Sequence, residues 1–351
     1  MKKICITGGA GFIASHVTEH MCLQYPLAEI TVIDKMNYAA RREFLAPVLK
    51  TGQVRLVEAS ITDKRIVSDL LRQTDLVIHA AAESHVDNSY KDLRPFLSSN
   101  IVGTVSLLQA AIENDVGLFF HISTDEVYGE SPDRDFTEDD KLNPTNPYAA
   151  SKASAEMFVH CMAKSFGLKT RVTRANNIYG TRQYPEKLIP KLICDICRGK
   201  KFQVHGAGSA IRSFLHVSDF CEAVTTIIDK GRDGEIYNVP AQYEYSVMDV
   251  VRLVAAEMGV LPEAFVEFGP DRPFNDSRYG VKGGKLLSLG WKPMRNLKAD
   301  LPEMVEWYRN NLGLFYRKPA TGSIGLPARR AAPFSKLPMT LAAANDETIP
   351  V

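Results

Sequence analysis

Two short stretches carry residue types that could move protons. In Tyr148-Ala149-Ala150-Ser151-Lys152 a phenol and an ammonium stand four positions apart, just after Asn143-Pro144-Thr145-Asn146-Pro147. If the stretch is helical, that spacing puts both on one face. A neighbouring cation favours phenolate, so Lys152 is expected to lower the Tyr148 pKa from about 10 towards working pH, as a general base requires. On an unrelated helix the same pair would be an ordinary exposed couple. The second stretch, Thr124-Asp125-Glu126-Val127-Tyr128-Gly129, closes the apolar run 118–123 and sets two carboxylates side by side. Unequal surroundings can split such a pair into a protonated acid and an ionised base, as proton removal coupled to loss of water requires. The simpler reading has Asp125 capping a turn and Glu126 solvated.

The segment that decides between these readings lies near the N-terminus. A strand expected at 4–7 runs into Gly8-Gly9-Ala10-Gly11-Phe12-Ile13-Ala14-Ser15-His16, and a helical pattern follows to about residue 25. Gly8 and Gly11 permit a tight turn and let backbone N–H groups approach a pyrophosphate at the helix N-terminus. A second strand over 30–34 ends in Asp34, about where a carboxylate accepts from both ribose hydroxyls of a dinucleotide. Its charge would repel a 2′-phosphate, which favours NAD over NADP. A strand-ending Asp in a turn is the plain alternative. Ala14 stands where a third glycine is common, but that glycine serves helix–strand packing rather than phosphate approach.

Positioning these groups calls for a parallel sheet. Short β-rich runs at 4–7, 30–34, 54–58, 76–80, 118–123 and 170–174 alternate with helix-length segments. This is the pattern of repeated βαβ units, hence an α/β fold with a Rossmann-type doubly wound parallel sheet. Its carboxyl edge would receive Thr124 and the two acids beside the cofactor. The expected organisation is an NAD-binding domain over 1–175 and a smaller, mainly substrate-binding lobe over 176–316, where Gly and Pro become frequent. A flexible tail rich in Pro, Ala and Gly is expected over 317–351. Residues 216–227 and 235–239 read as a helix and a strand able to return to the sheet.

The bulk properties exclude several classes. With 42 Lys+Arg against 41 Asp+Glu in 351 residues, there is no broad basic field for nucleic acid, and a small-molecule substrate is expected. Six scattered cysteines lack the density of a secreted disulfide scaffold. Cys194 and Cys197 form a CxxC in an apolar stretch without a second pair or a nearby His, which reads as core packing, and no metal is expected. No leader-like apolar segment follows Met1, and no run of about 18 apolar residues appears. A cytoplasmic protein without membrane association is the expectation.

Together the stretches GGAGFIASH, VIDKMNY, HAAAESHVDNS, NIVGT, STDEVYG, PYAASKASAE, NNIYG, PEKLIP, GSAIRSF and RPFNDSRYG resemble the extended short-chain dehydrogenase/reductase family, and within it the nucleotide-sugar 4,6-dehydratases. The resemblance runs from residue 1 to about 312, and STDEVYG is its sharpest motif. It implies a UDP-glucose or dTDP-glucose 4,6-dehydratase with NAD as cofactor and a nucleotide-diphosphate sugar as substrate. GFIASH and RPFND lean the nucleotide towards UDP. Implied catalytic residues are Thr124, Asp125, Glu126, Tyr148 and Lys152: Tyr148 takes the C4-hydroxyl proton, Glu126 the C5 proton, and Asp125 protonates the departing C6 hydroxyl.

Implied cofactor contacts are Gly8, Gly11, Phe12, Ile13, Asp34, Lys35, Asn37, Ser60, Ile61, Ala80, Ala82 and Ser99, with Tyr148 and Lys152. Implied substrate contacts are Ser84, Thr124, Asn177, Lys187, Leu188, Arg212, Asp271, Arg272 and Asn275; the three cations suit a diphosphate. The chain departs from the family at Ala59-Ser60-Ile61, where an acid is usual, and at Ser246-Val247-Met248-Asp249, where Asn is common in dTDP-glucose enzymes. By analogy, a homodimer would pair helices over 96–114 and 149–166. A 4-epimerase of the same family and a non-catalytic NAD-binding scaffold are the alternatives.

Overall fold

The structure, a computed structural model, describes residues 1–316. The tail expected over 317–351 lies outside the described residues. In chain order the strands are β1 (Lys3–Thr7), β2 (Glu29–Asp34), β3 (Val54–Glu58), β4 (Leu76–His79), β5 (Leu118–Thr124), β6 (Thr170–Ala175), β7 (Asn177–Tyr179), β8 (Phe202–His205), β9 (Ile211–His216), β10 (Ile236–Val239), β11 (Glu244–Ser246) and β12 (Val266–Gly269). Seven of them form one sheet in the order β10-β6-β5-β4-β1-β2-β3. Every pair in it is parallel. The chain leaves β1 towards β2 and β3, then returns to lay β4 on its other side. Loops diverge at that reversal and open a crevice at the carboxyl ends of the strands.

The central strands form because they are apolar on both faces. All residues of β4 and β5 are buried, whereas β3, at the edge, exposes Arg55 and Glu58. Helices cover both faces, as a parallel sheet demands. Helices Phe12–Gln24 and Val217–Lys230 cover one face through Val17, Met21, Phe220 and Val224, packed over Ile4, Ile6, Ile30 and Val32. Helices Lys64–Leu71, Gly103–Glu113 and Pro147–Phe166 cover the other, where Val67, Leu107 and Val159 meet Val77 and Phe119. A further apolar core joins helices Leu188–Cys197, Val247–Met258 and Leu297–Tyr316 to β8. Cys194 is buried there, its thiol pushed up to about 12 by burial, and it forms no disulfide with Cys197. Among the described residues no group of His, Cys, Asp and Glu is disposed to hold a metal.

The later part of the chain does rejoin the sheet: β10 pairs with β6 from Ile236↔Val172 to Val239↔Ala175. The helix expected from 216 starts at Val217, with His216 outside it as the cap that accepts from Ser218 N at 3.2 Å. A less expected feature is a π-helical turn, Leu97–Val102, running into the helix Gly103–Glu113. The combined stretch Arg94–Glu113 is long and apolar enough in composition to cross a membrane, although no uninterrupted apolar run marks it; more than half of it is buried in the fold. At Gly103, just after the π turn, a Cβ would lie 2.5 Å from Ile61 Cδ1, so the two elements approach closely there.

Candidate active site

The carboxyl ends of β1, β4 and β5 open into a cleft of about 700 Å³, the size range of small-ligand sites. At its floor β1 turns at Gly8, whose φ is +70°. A Cβ on Gly8 would lie 2.7 Å from Ala81 Cα, so only glycine fits. Gly11 caps the helix Phe12–Gln24 without a side-chain bond to its first N–H groups, and Gly8, Gly11, Phe12 and Ile13 all face the cleft. A helix terminus so placed is suited to an anion. Ala14 is buried in the core beneath, as packing of that position requires.

Asp34 ends β2 and is held in place by two backbone donors, Ala10 N to Oδ2 at 3.0 Å and Met36 N to Oδ1 at 2.8 Å. Burial raises its pKa, and those two N–H groups act in the opposite direction. Each oxygen retains a lone pair for a ribose hydroxyl. Lys35, Asn37, Ser60, Ile61, Ala80, Ala82 and Ser99 line the same end. Lys35 Nζ bridges Glu83 Oε1 and Ser99 Oγ at 2.7 and 2.8 Å. Ser60 shares its hydroxyl with Thr62 at 2.8 Å, a local turn where the family usually has an acid. A glycine cradle that a Cβ would fill, an uncapped helix terminus and a strand-ending carboxylate together fit a dinucleotide.

Tyr148 and Lys152 lie on the helix Pro147–Phe166, which starts where Asn146 accepts from Ala149 N at 2.9 Å and Pro147 occupies the first turn. Both face the cleft. One expectation is reversed: the Tyr148 phenol is held above its ordinary value, not below it. Burial is the largest cause, Glu126 and Asp125 add to it, and the Thr124 hydroxyl acts the other way. Lys152 directs its ammonium to Ile122 O at 2.7 Å, and burial pulls its pKa down to about 8. The expectation considered the i, i+4 cation and overlooked two carboxylates delivered by β5.

Those carboxylates occupy opposite surroundings. Asp125 is buried, accepts from Thr124 Oγ1 at 3.1 Å and from Asn176 Nδ2 at 2.7 Å, and is raised to about 7 by burial and by Glu126. It stands just behind the cleft wall rather than on it. Glu126 is on the wall and accepts from Asn146 Nδ2 at 2.9 Å. A buried carboxyl with a raised pKa and a second carboxyl on the cleft wall thus both act on one phenol.

At the other end Ser84, Asn177, Lys187, Leu188, Arg212, Arg272 and Asn275 line the cleft. Lys187 Nζ donates to Ser84 O at 2.6 Å, and its removal from water lowers its pKa. Arg212 lies over the Tyr279 ring at 4.7 Å and donates to Asn275 Oδ1 at 3.1 Å. Arg272 pairs with Asp87 at 2.7 Å. Asp271 is the exception among the expected contacts. It is exposed, accepts from Asn275 Nδ2 at 2.9 Å, and is not among the residues that line the cleft.

Several residues of the site escaped the sequence reading. Asn146 precedes Pro147 in a helix-start pattern that could have flagged it. Asn176, Asp87, Glu83 and Asn100 carried no such signal; Asn100 accepts from Glu83 N at 2.8 Å and donates to Ser151 Oγ at 2.8 Å from within the π turn.

The family described as "NAD dependent epimerase/dehydratase family" matches residues 4–240. The chain is 41% identical over 317 residues to a trifunctional UDP-glucose 4,6-dehydratase/UDP-4-keto-6-deoxy-D-glucose 3,5-epimerase/UDP-4-keto-L-rhamnose-reductase of Arabidopsis thaliana, covering 88% of this chain and 47% of that protein. It is 40% identical over 317 residues to a dTDP-D-glucose 4,6-dehydratase of Mus musculus, covering 88% and 89%. It therefore spans about half the length of the plant relative. Among solved structures, the dTDP-glucose 4,6-dehydratase DesIV of Streptomyces venezuelae, with NAD and TYD bound, aligns with a TM-score of 0.87 at 36% identity over 90% of this chain and 99% of that one.

Proposed function

The chain belongs to the NAD-dependent epimerase/dehydratase family, and from that membership we propose that it is a nucleotide-sugar 4,6-dehydratase converting UDP-glucose or dTDP-glucose to the 4-keto-6-deoxy sugar nucleotide. NAD is its cofactor. The observation that carries the reading is the unequal carboxylate pair beside Tyr148: a 4-epimerase needs the phenol and has no task for Asp125 and Glu126.

Gly8, Gly11 and Asp34 would hold NAD, whose chemistry would be to take up hydride from the sugar's C4 and give it back at C6. Tyr148 is the group placed to receive the C4-hydroxyl proton; because burial, Glu126 and Asp125 hold its phenol above the ordinary value, it must first be ionised, a change that the Thr124 hydroxyl favours. Oxidation at C4 acidifies the C5 hydrogen; Glu126, its carboxylate fixed by Asn146, removes that proton and returns it to C5 when hydride arrives at C6. Asp125, raised to about 7, is the acid that makes the C6 hydroxyl leave as water. Its proton reaches the cleft at the Thr124 edge, since its carboxyl stands behind the wall. Lys187, Arg212 and Arg272 supply the charge that receives the diphosphate.

A homodimer belongs to the same proposal. Leu97, Val102, Met157, Phe158 and Phe166 are exposed on the helices over 94–113 and 147–166, an apolar surface suited to a second copy. So does a cytoplasmic setting without membrane or nucleic-acid partners, which suits six cysteines that form no disulfide and a net charge of +1. The test is incubation of the purified protein with UDP-glucose and dTDP-glucose in parallel. A 4-keto-6-deoxy product with near-ultraviolet absorbance in alkali is expected from at least one; a plain 4-epimer would overturn the reading.

A further inference from the structure

Tyr148, Lys152 and Glu156 recur every four residues along the helix Pro147–Phe166, so the proton-transfer pair has a third charged member on its face. Glu156 is only 4% exposed. Its Oε2 accepts from Arg174 Nε at 2.9 Å and Nη2 at 2.7 Å, while its Oε1 is buried with no partner. Arg174 comes from β6 and also donates to Tyr128 OH at 2.7 Å. A carboxylate this deep is costly unless paired, and Arg174 supplies the pairing through one oxygen, leaving the other without a partner among the described residues, one helical turn from Lys152.

We propose that Glu156 is a positioning residue for the reaction: paired with Arg174, it is the counter-charge that keeps buried Lys152 an ammonium through the catalytic cycle. The inference rests on the dehydratase reading for its catalytic meaning, though not for its test. The other charged and titratable groups around Lys152 do not serve this role. From β4 and β5, His79 and His121 are buried imidazoles kept neutral, their pKa values driven down by burial and by Lys152 itself. From the turn after β5, Asp125 and Glu126 act on Tyr148. From the helix Val86–Lys91, Asp87 is engaged by Arg272. The π turn and the helix Gly103–Glu113 present neutral Asn100, Thr104 and Ser106. Glu156 alone opposes the fall that burial imposes on Lys152.

The experiment is a titration of the Lys152 side chain by nitrogen-15 NMR in lysine-labelled, NAD-loaded protein, for wild type and Glu156→Gln, alongside the pH dependence of nicotinamide reduction in a single turnover. In the variant the Lys152 midpoint is expected to fall by about one unit or more, the size of a lost neighbouring charge, and the alkaline limb of the reduction rate to move with it. Because Glu156→Gln leaves Arg174 without a counter-charge, Glu156→Leu combined with Arg174→Met provides a second test. It replaces the ion pair by apolar packing, which buried pairs tolerate, and a fall in the same direction but smaller is expected, because the repelling Arg174 charge is removed together with the attracting one. Glu156→Asp should restore the midpoint. A wild-type midpoint in either folded variant overturns the proposal. Since the titration needs no turnover, and C4 oxidation is common to epimerase and dehydratase chemistry, a failure of the dehydratase reading would appear in the product instead.

Discussion

Asn146 donates its side-chain N–H to Glu126 Oε2 at 2.9 Å, while its amide oxygen accepts from Ala149 N at 2.9 Å. One residue therefore starts the helix of Tyr148 and aims the carboxylate beside it. The two tasks separate by mutation. Asn146→Asp keeps the acceptor for Ala149 N but sets a second carboxylate against Glu126. Thermal stability is expected to stay within a few degrees while product formation falls on the order of 10²-fold. Asn146→Ala loses the cap as well, at about 1 kcal/mol, visible as a lower melting temperature.

Glu126→Gln should spare C4 oxidation and block C5 proton removal. Reduced nicotinamide is expected to accumulate on the protein, with product formation down by roughly 10²–10⁴-fold. Absorbance of the reduced cofactor and product yield, measured together, check this. Normal product formation would remove Glu126 from its role.

Asp125 couples activity and stability to pH. Its pKa is raised from 3.8 to about 7, so the acid form needed for water loss is depleted as pH rises through about 7, and elimination should slow there. In the folding equilibrium the folded state holds this proton more tightly than the unfolded chain. The stability it contributes is fully present below about pH 4 and is lost as pH rises to about 7. Asp125→Asn should flatten that segment of the melting-temperature profile and abolish the pH dependence of elimination.

Gly8→Ala should expel the cofactor. The residue has φ +70° and its new Cβ would meet Ala81 Cα at 2.7 Å. Gly167→Ala is the control, because φ is +71° there and nothing lies within 4 Å. Both carry a left-handed backbone cost of about 1–2 kcal/mol, but only Gly8→Ala should lose NAD on purification, read as the cofactor content of the purified protein.

The sheet was legible because its strands are short apolar runs bounded by turn residues, and at β3 the expected span 54–58 coincides with Val54–Glu58. The π turn was not, since nothing in the spacing of residues over Leu97–Val102 distinguishes a π turn from an α-helical one. The placement of Tyr148 on a cleft-facing helix was legible from the motif. Its electrostatic surroundings were not, because Asp125 and Glu126 arrive from more than 20 positions earlier and local spacing carries no record of burial. Asp271 misled for the opposite reason: it stands in a matching motif, yet its hydrogen bond to Asn275 is local.

The strand β10 bears on how the chain is made. The β6 edge ends at Ala175, and its partner Ile236–Val239 is encoded about 60 residues later. At a synthesis rate of roughly 5–20 residues per second, a nascent chain presents β6 as an open template for several seconds, with the helix Val217–Lys230 also still to come. Open strand edges invite pairing with other chains. A shortened chain that stops near residue 175 would keep the β6 edge open for good.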